Sequence, residues 1–155
     1  MDFVRKPAVA GMFYPASASV LEDTVIDLLA KSHKSVRFNN IVGIVAPHAG
    51  YIYSGGTAAY AYNTIKELDI ETVIILSPSH REYFDGVCIF NGEGYATPLG
   101  TVFVNKEIKQ KLSQNSKIIF EGIQGHRNEH AIEVHLPFLQ TIFNNFTIVP
   151  IVIGN

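Results

Sequence analysis

The sequence contains very little cysteine, which excludes small proteins held together by disulfides. Cys88 is the only cysteine among 155 residues, so the chain cannot form an internal disulfide framework. A lone cysteine fits a reducing compartment, because disulfides persist in oxidising ones. We therefore expect a cytoplasmic protein in which Cys88 is buried and inert.

Basic runs, long apolar runs and a signal sequence are also missing. The formal net charge is −2, and the Lys and Arg residues form no stripe, so nothing indicates binding to nucleic acid. No segment approaches the roughly 20 apolar residues of a membrane span, and the N-terminus lacks the apolar centre of a signal peptide. We expect no nucleic-acid partner and no membrane contact.

Apolar residues, by contrast, are abundant. They make up 47% of the 155 residues, a length that suits one sizeable core and leaves little room for a second. Such a composition is typical of a parallel sheet covered on both faces. We predict one α/β domain over residues 1–155, a three-layer sandwich with a mostly parallel sheet.

The chain is organised around residues 41–56, IVGIVAPHAGYIYSGG. The apolar run at 41–46 predicts a strand buried on both faces, and Pro47 ends it because proline has no N–H to donate. His48 follows at once. Residues 72–80, TVIILSPSH, repeat the arrangement, with an apolar strand that leads to His80. Open α/β sheets bind ligands at the carboxyl ends of their strands, so both histidines should project into one cleft.

A third group of polar residues lies in residues 125–140. Arg127 stands where the HExxH metalloprotease motif requires Glu, so that motif is excluded. Asn128 predicts a helix that begins near residue 129, with His130 in its first turn as a neutral imidazole able to accept a proton. The group comprises His126, Glu129, His130, Glu133 and His135.

The other members of this group have simpler interpretations. We expect His126 and His135 at the surface or around the site. Glu129 and Glu133 are favourable first-turn charges, and Glu129 can also orient a histidine. Pro137 either kinks this helix or starts a second one.

The remaining pattern supplies the other elements of an α/β fold. Ser19 and Glu22 form a capping box for a helix that ends near Lys31, and His33 beyond it should be solvated. A second helix is predicted over 57–68 and a short one after Asn105. Strands are predicted at 87–90, 101–104, 117–120 and 147–153. The pair Phe13-Tyr14 either fastens the N-terminus to the body or forms a wall of a binding site.

Four segments together resemble the Memo-like proteins, which are relatives of the class III extradiol ring-cleavage dioxygenases. They are RKPAVAGMFYP, APHAGYIYSG, LSPSH and EHAIEVHLPFLQ. The resemblance implies a three-layer α/β fold with a metal pocket, in which His48 and His80 bind the metal and His130 acts as acid or base. It places Phe13 and Tyr53 at the pocket rim, and we assign Glu129 to substrate binding with them.

The chain also departs from that family. Members of that family are longer, and they take a third metal ligand from a later segment. Cys88 does not match the position of that third ligand. The sequence therefore resembles the N-terminal part of a member. We therefore expect weak metal binding, no dioxygenase activity, and self-association through an exposed edge at residues 147–153.

The sequence leaves two main classes of function open, and a zinc hydrolase is a weaker alternative. The first is a Memo-like protein that holds iron or copper, with a small molecule or a peptide in the pocket. The alternative is a ferrous extradiol dioxygenase, which needs two histidines and a carboxylate on one face of the iron. Zinc also accepts two histidines and an open position.

Overall fold

The computed structural model describes residues 3–32 and 40–154, so His33 lies outside the described residues. Within them, the chain combines helices and strands and is a mixed α/β structure. None of the described helices is long and apolar enough to span a membrane. The elements are β1 (Val4–Arg5), α1 (Ala18–Lys31), a π-helical turn (Tyr51–Gly55), α2 (Gly56–Ile65), β2 (Thr72–Pro78), β3 (Val87–Phe90), β4 (Gly94–Thr97), β5 (Gly100–Phe103), α3 (Lys106–Ser113), β6 (Ile119–Gly122), a 3₁₀ turn (Glu133–His135), α4 (Leu136–Ile142) and β7 (Thr147–Ile153).

The described strands form two sheets. One has three strands in the order β1-β4-β5, and the other has four in the order β2-β7-β3-β6. In the larger sheet β7 pairs in parallel with β2 and antiparallel with β3, while β3 and β6 are parallel. β7 is therefore an interior strand, and the prediction that it forms an exposed edge is wrong. Pro150 lies opposite Ile75 of β2 but has no partner on β3, where the pairing begins only at Ile151, so its missing N–H costs no hydrogen bond on the β3 side.

Helices pack on both faces of the larger sheet. The layer of α1, α2 and α4 covers the main core, to which β2 and β7 contribute Ile75, Ile148 and Val152. On the opposite face, α3 covers a smaller cluster of Ile89, Val149 and Ile151 through Ile108 and Leu112. Burial of apolar area on both faces is the main stabilising term for such a sheet.

The strand predicted at residues 41–46 is absent from the structure. This segment forms no ladder with any described strand, and the side chains of Val42 and Val45 are 103% and 98% exposed. Only Ile41, Ile44 and Ala46 pack against the core. An apolar run indicates a buried strand only where neighbouring strands lie on both sides, and the described part of the chain does not provide them.

Two helix starts also differ from the sequence prediction. α1 begins after Ser17, whose side chain makes no capping hydrogen bond, so the capping box at Ser19 is wrong. No helix begins near Glu129, because a 3₁₀ turn intervenes and α4 starts only at Leu136, with Pro137 in its first turn. Pro137 thus starts a helix rather than kinking one. The predicted cap at Asn105 is confirmed, since its side chain accepts a hydrogen bond from the Ile108 N–H.

Candidate metal centre

The structure brings His48, His80 and His130 together. The ring centroids of His48 and His80 are 5.2 Å apart, those of His80 and His130 are 4.8 Å apart, and those of His48 and His130 are 5.8 Å apart. One ligand nitrogen from each ring lies within 4.8 Å of the other two. His48 follows Pro47, and His80 comes two residues after the end of β2. His48 and His80 therefore lie close together, and a third imidazole lies beside them.

Glu129 fixes the orientation of the His80 ring. One carboxylate oxygen accepts a hydrogen bond from the backbone N–H of His80 at 2.6 Å, and the other lies 2.9 Å from its Nδ1. A carboxylate only accepts, so Nδ1 carries the proton, and in the neutral ring Nε2 keeps its lone pair. Such carboxylate–histidine pairs orient metal ligands.

Glu129 itself is almost completely buried, with 2% of its side chain exposed. Burial opposes its ionisation, but hydrogen bonds from His80, Ala131 and His130 outweigh this effect and hold its pKa below the ordinary value. The structure thus places Glu129 behind the histidines rather than at the pocket wall with Phe13 and Tyr53.

His130 has a ring nitrogen without a partner. Its Nδ1 is buried and lies 3.2 Å from a Glu129 oxygen, but the geometry is not that of a hydrogen bond. Burial lowers the pKa of His130, and the nearby His80 and His48 lower it further, against an opposing effect of Glu129. The ring is therefore neutral near pH 7 without help from a helix dipole, since His130 precedes the 3₁₀ turn instead of lying in a helix. An unpaired neutral nitrogen can accept a proton or bind a metal.

His48 shares this neutral character. Burial lowers its pKa, and the neighbouring His80 lowers it further, against an opposing effect of Glu129. Neutral imidazole is the form that coordinates a metal.

An apolar cleft of about 570 Å³ opens beside these rings. Phe13 packs on His130 with ring centroids 4.8 Å apart, and Tyr53, 83% exposed, lies at the rim. The two aromatic residues predicted at the rim are thus both in the wall. The full lining is Met12, Phe13, Pro47, His48, Ala49, Gly50, Tyr53 and His130.

Glu133 fastens the segment that carries Phe13. It accepts hydrogen bonds from Arg5 at 2.6 Å, from the Ala8 and Val9 N–H groups at 2.8 and 3.0 Å, and from the Tyr14 hydroxyl at 2.6 Å. It does lie in the first turn of a 3₁₀ helix, but its side chain is 0% exposed and pairs with Arg5, so it is more than a favourable first-turn charge. The N-terminal segment is therefore both fastened to the body and part of the pocket wall.

Sequence reasoning missed this role of Glu133. A carboxylate buried at this depth needs partners, and they come from the opposite end of the chain. The one available signal is that Arg5, if buried, needs an acidic partner. The sequence around Arg5 does not indicate which acidic residue that is.

The two remaining histidines of the cluster differ from each other. His126 is 0% exposed. Its Nδ1 shares a hydrogen bond with the Tyr95 hydroxyl, and its Nε2 bonds the Cys88 carbonyl, so it is a core residue and not a surface one. His135 bonds the Tyr62 hydroxyl through Nδ1, and its ring centroid lies 6.4 Å from that of His48, beside the site.

Cys88 is buried as predicted. Burial raises the pKa of its thiol to about 12, which keeps the sulfur protonated and unreactive.

An α/β protein that gathers three imidazoles beside an apolar cleft is a candidate metal-binding protein. A family model described as "Memo-like protein" matches residues 5–155, and the chain belongs to this family. It is 41% identical over 155 residues to a MEMO1 family protein of Thermoplasma volcanium, and this match covers 98% of this chain and 56% of that protein. It is 39% identical over 157 residues to a MEMO1 family protein of Nitrosopumilus maritimus, with 97% and 56% covered. The chain thus spans a little over half the length of these relatives.

Proposed function

We propose that this Memo-like protein binds one divalent transition metal ion, iron or copper, through His48 and His80. The proposal rests on the convergence of three imidazole nitrogens within 4.8 Å of one another. His130 then stands beside the ion as the proton acceptor for a ligand in the cleft. The fold that supports the site is, in this proposal, a dioxygenase-like sandwich of the extradiol class.

The residues present fit such an ion. His80 has its Nδ1 occupied by Glu129, which directs Nε2 away from that carboxylate, and the buried Nδ1 of His130 has no hydrogen-bond partner. Two nitrogens that share one tetrahedral ion at about 2.1 Å lie about 3.4 Å apart. Separations of up to 4.8 Å therefore require the rings to approach each other by up to about 1.4 Å when the ion binds.

A bound ion would supply Lewis acidity or electron transfer to a ligand at its open positions. The chain's own residues prepare the rest of the pocket. Phe13 and Tyr53 pack against an apolar ligand and limit the access of water, and the neutral ring of His130 accepts a proton from that ligand. A small molecule or a short peptide with one metal-binding oxygen suits this cleft, and we place the protein in the cytoplasm.

The extradiol alternative has less support than simple metal binding. It needs a carboxylate on the ion, and among residues 3–32 and 40–154 the candidate metal group contains histidines alone. Glu129 is the carboxylate beside them, and its oxygens are already engaged by His80 and backbone N–H groups. Three imidazoles are a set that zinc also accepts, so zinc belongs in the test.

Equilibrium dialysis with anaerobic Fe²⁺, Cu²⁺ and Zn²⁺ tests the proposal. We expect one weakly bound ion per chain, because only two histidines are assigned as its ligands, together with a loss of binding in His48→Ala and His80→Ala and nearly unchanged metal content in His130→Ala. The control is His126→Gln, because both ring nitrogens of His126 are already in hydrogen bonds with Tyr95 and Cys88. Absence of saturable binding would overturn the proposal, and loss of metal in His130→Ala would make His130 a ligand.

A catechol-cleavage assay on the Fe²⁺-loaded chain examines the alternative. We expect no ring-cleaved product. Cleavage that depends on His130 would favour the dioxygenase over a binding protein.

A further inference from the structure

The two histidines assigned to the metal are held in different ways. His80 is fixed by two hydrogen bonds to the buried carboxylate of Glu129. The ring of His48 makes no hydrogen bond with any residue that the structure describes, and it follows a segment that pairs with none of the described strands. The orientation of the His48 ring therefore comes from packing against its neighbours.

Among the described residues, three imidazole rings lie around that of His48. The rings of His80 and His130, with centroids 5.2 and 5.8 Å away, belong to the candidate metal group. The third is His135, which is not part of that group. Its centroid lies 6.4 Å from that of His48, and the two planes are inclined by 79°. This edge-to-face arrangement is a favourable one for aromatic rings at such distances, so His135 packs beside His48 without sharing the ion.

His135 is itself fastened to the core by Tyr62 of α2. The Tyr62 hydroxyl lies 2.7 Å from Nδ1 of His135. Tyr62 is 3% exposed, and its ring stacks on that of Phe138 with centroids 4.6 Å apart and planes only 6° apart. The hydroxyl that meets His135 is therefore held in place by close packing on both the helix and the ring that carry it.

The same hydrogen bond fixes the tautomer of His135. A buried tyrosine hydroxyl needs an acceptor for its proton, and in the described part of the chain Nδ1 of His135 is the acceptor that Tyr62 has. Nδ1 then carries the lone pair, so the ring is neutral and its proton lies on Nε2. The opposite tautomer would bury the hydroxyl proton of Tyr62 without a partner, which is unfavourable.

We propose that His135, fixed by Tyr62, is a positioning residue that sets the orientation of the His48 ring. The purpose of this orientation rests on the proposed function, because His48 is assigned there as a metal ligand. Tyr62 and His135 connect a core helix to His48, and so they do for His48 what Glu129 does for His80. Residues that orient a metal-binding histidine in this way typically change metal affinity by about tenfold to a hundredfold.

Nuclear magnetic resonance of the metal-free chain tests the arrangement directly. We expect ring ¹⁵N shifts that place the proton of His135 on Nε2, and nuclear Overhauser effects between the ring protons of His135 and His48. Tyr62→Phe keeps the aromatic ring and removes only the hydroxyl. In this variant the preference for one tautomer and the contacts between the two rings should both weaken.

Tyr51→Phe is the matched control. Tyr51 is 6% exposed, its ring also packs on Phe138, and its hydroxyl donates a hydrogen bond of 2.8 Å to the Val134 carbonyl, next to His135. The substitution therefore removes a buried hydroxyl from the same region without touching the His135 ring. We expect both resonance signals of His135 to stay as they are in the unsubstituted chain.

A titration with Cu²⁺ measures the consequence for the metal. Tyr62→Phe should lower the affinity roughly tenfold. At saturating Cu²⁺ it should also change the hyperfine coupling in the electron paramagnetic resonance spectrum, which reports the geometry of the ligand nitrogens and which a loss of stability alone would leave unchanged. His135→Asn, which keeps an acceptor for Tyr62 but lacks the ring beside His48, should have the same two effects. Tyr51→Phe should have neither.

Three results would overturn this inference. One is a proton on Nδ1 of His135 in the unsubstituted chain. Another is unchanged ring contacts, affinity and spectrum in Tyr62→Phe. The third is an equal loss of affinity in Tyr51→Phe and Tyr62→Phe. Absence of Cu²⁺ binding in the unsubstituted chain would count against the proposed function alone, because the resonance experiment on the metal-free chain still decides whether His135 orients His48.

Discussion

Glu129 holds His80 by two bonds at once, one to the backbone N–H at 2.6 Å and one to the ring Nδ1 at 2.9 Å. The two residues are 49 positions apart in the chain. The bonds join the end of β2 to the segment that carries His130, since Glu129 also accepts a hydrogen bond from the His130 N–H at 2.9 Å. One buried carboxylate therefore sets the relative position of two histidines of the candidate site.

Glu129→Gln should weaken metal binding without unfolding the chain. The amide is nearly isosteric but uncharged, so it holds the Nδ1–H of His80 less strongly and leaves Nε2 less basic. Loss of such a partner reduces metal affinity by about tenfold to a hundredfold. Titration with Co²⁺, followed by its absorption spectrum, measures the change. Glu22→Gln on α1 is the control, and an equal effect in both variants would contradict the orienting role.

The sequence predicts the His80 half of the site better than the His48 half. The apolar run of β2, the proline that ends it and His80 are all local signals, and β2 is present at Thr72–Pro78. The similar run before His48 forms no strand. A run of apolar residues does not tell which neighbours are present to pair with it.

Long-range polar contacts were the least predictable part. The partners of Glu133 lie up to 128 residues away in the chain, so no window of sequence contains them. The Asn105 cap, by contrast, involves residues only three apart and was predicted. Hydrogen bonds between residues close in the chain can be predicted from sequence. The burial of a charged side chain cannot, because it depends on how distant segments pack in the folded protein.

Glu133→Gln should destabilise the fold. The carboxylate is 0% exposed and pairs with Arg5, 4% exposed, so the substitution leaves a buried guanidinium without its counter-charge. Breaking such a pair costs about 3–5 kcal/mol. Urea unfolding followed by circular dichroism measures the loss.

Glu107→Gln provides the comparison for that measurement. Glu107 pairs with Lys111 on the surface of α3, where the ion pair is exposed, and its loss should not change the unfolding midpoint. Equal midpoints for Glu133→Gln and the unsubstituted chain would show that the buried pair does not stabilise the fold.

His126 should make the protein sensitive to mild acid. Burial lowers its pKa from 6.5 to about 4, so between these values the unfolded chain binds a proton that the folded chain does not. Stability therefore falls as the pH drops through this window. From pH 7.5 to pH 5 this group alone removes about 2 kcal/mol of unfolding free energy.

The variant His126→Gln tests this assignment. Glutamine does not titrate, so the difference in unfolding free energy between pH 7.5 and pH 5 should shrink by about 2 kcal/mol, even if the variant is less stable at both values. An unchanged pH dependence would assign the acid sensitivity to other groups.

Two adjacent glycines at the start of α2 should respond oppositely to alanine. A Cβ at Gly55 would lie 2.9 Å from Leu28 Cδ1 and 3.3 Å from Tyr51 Cβ, where α1 and α2 approach each other. A Cβ at Gly56 would meet nothing within 4 Å. Gly56→Ala should therefore gain about 0.5–1 kcal/mol from helix propensity. In Gly55→Ala, crowding of about 1–3 kcal/mol should cancel or exceed that gain, although the Leu28 methyl can shift in part.

Thermal unfolding of the two variants measures this difference directly. Both substitutions remove the same backbone freedom from the unfolded chain, so their comparison isolates the contact with Leu28. The double variant Gly55→Ala with Leu28→Ala should recover part of the crowding cost, because the clashing methyl is gone, while losing the packing of the leucine. Equal stabilisation by alanine at both glycines would show that α1 and α2 are not packed as closely as the structure has them.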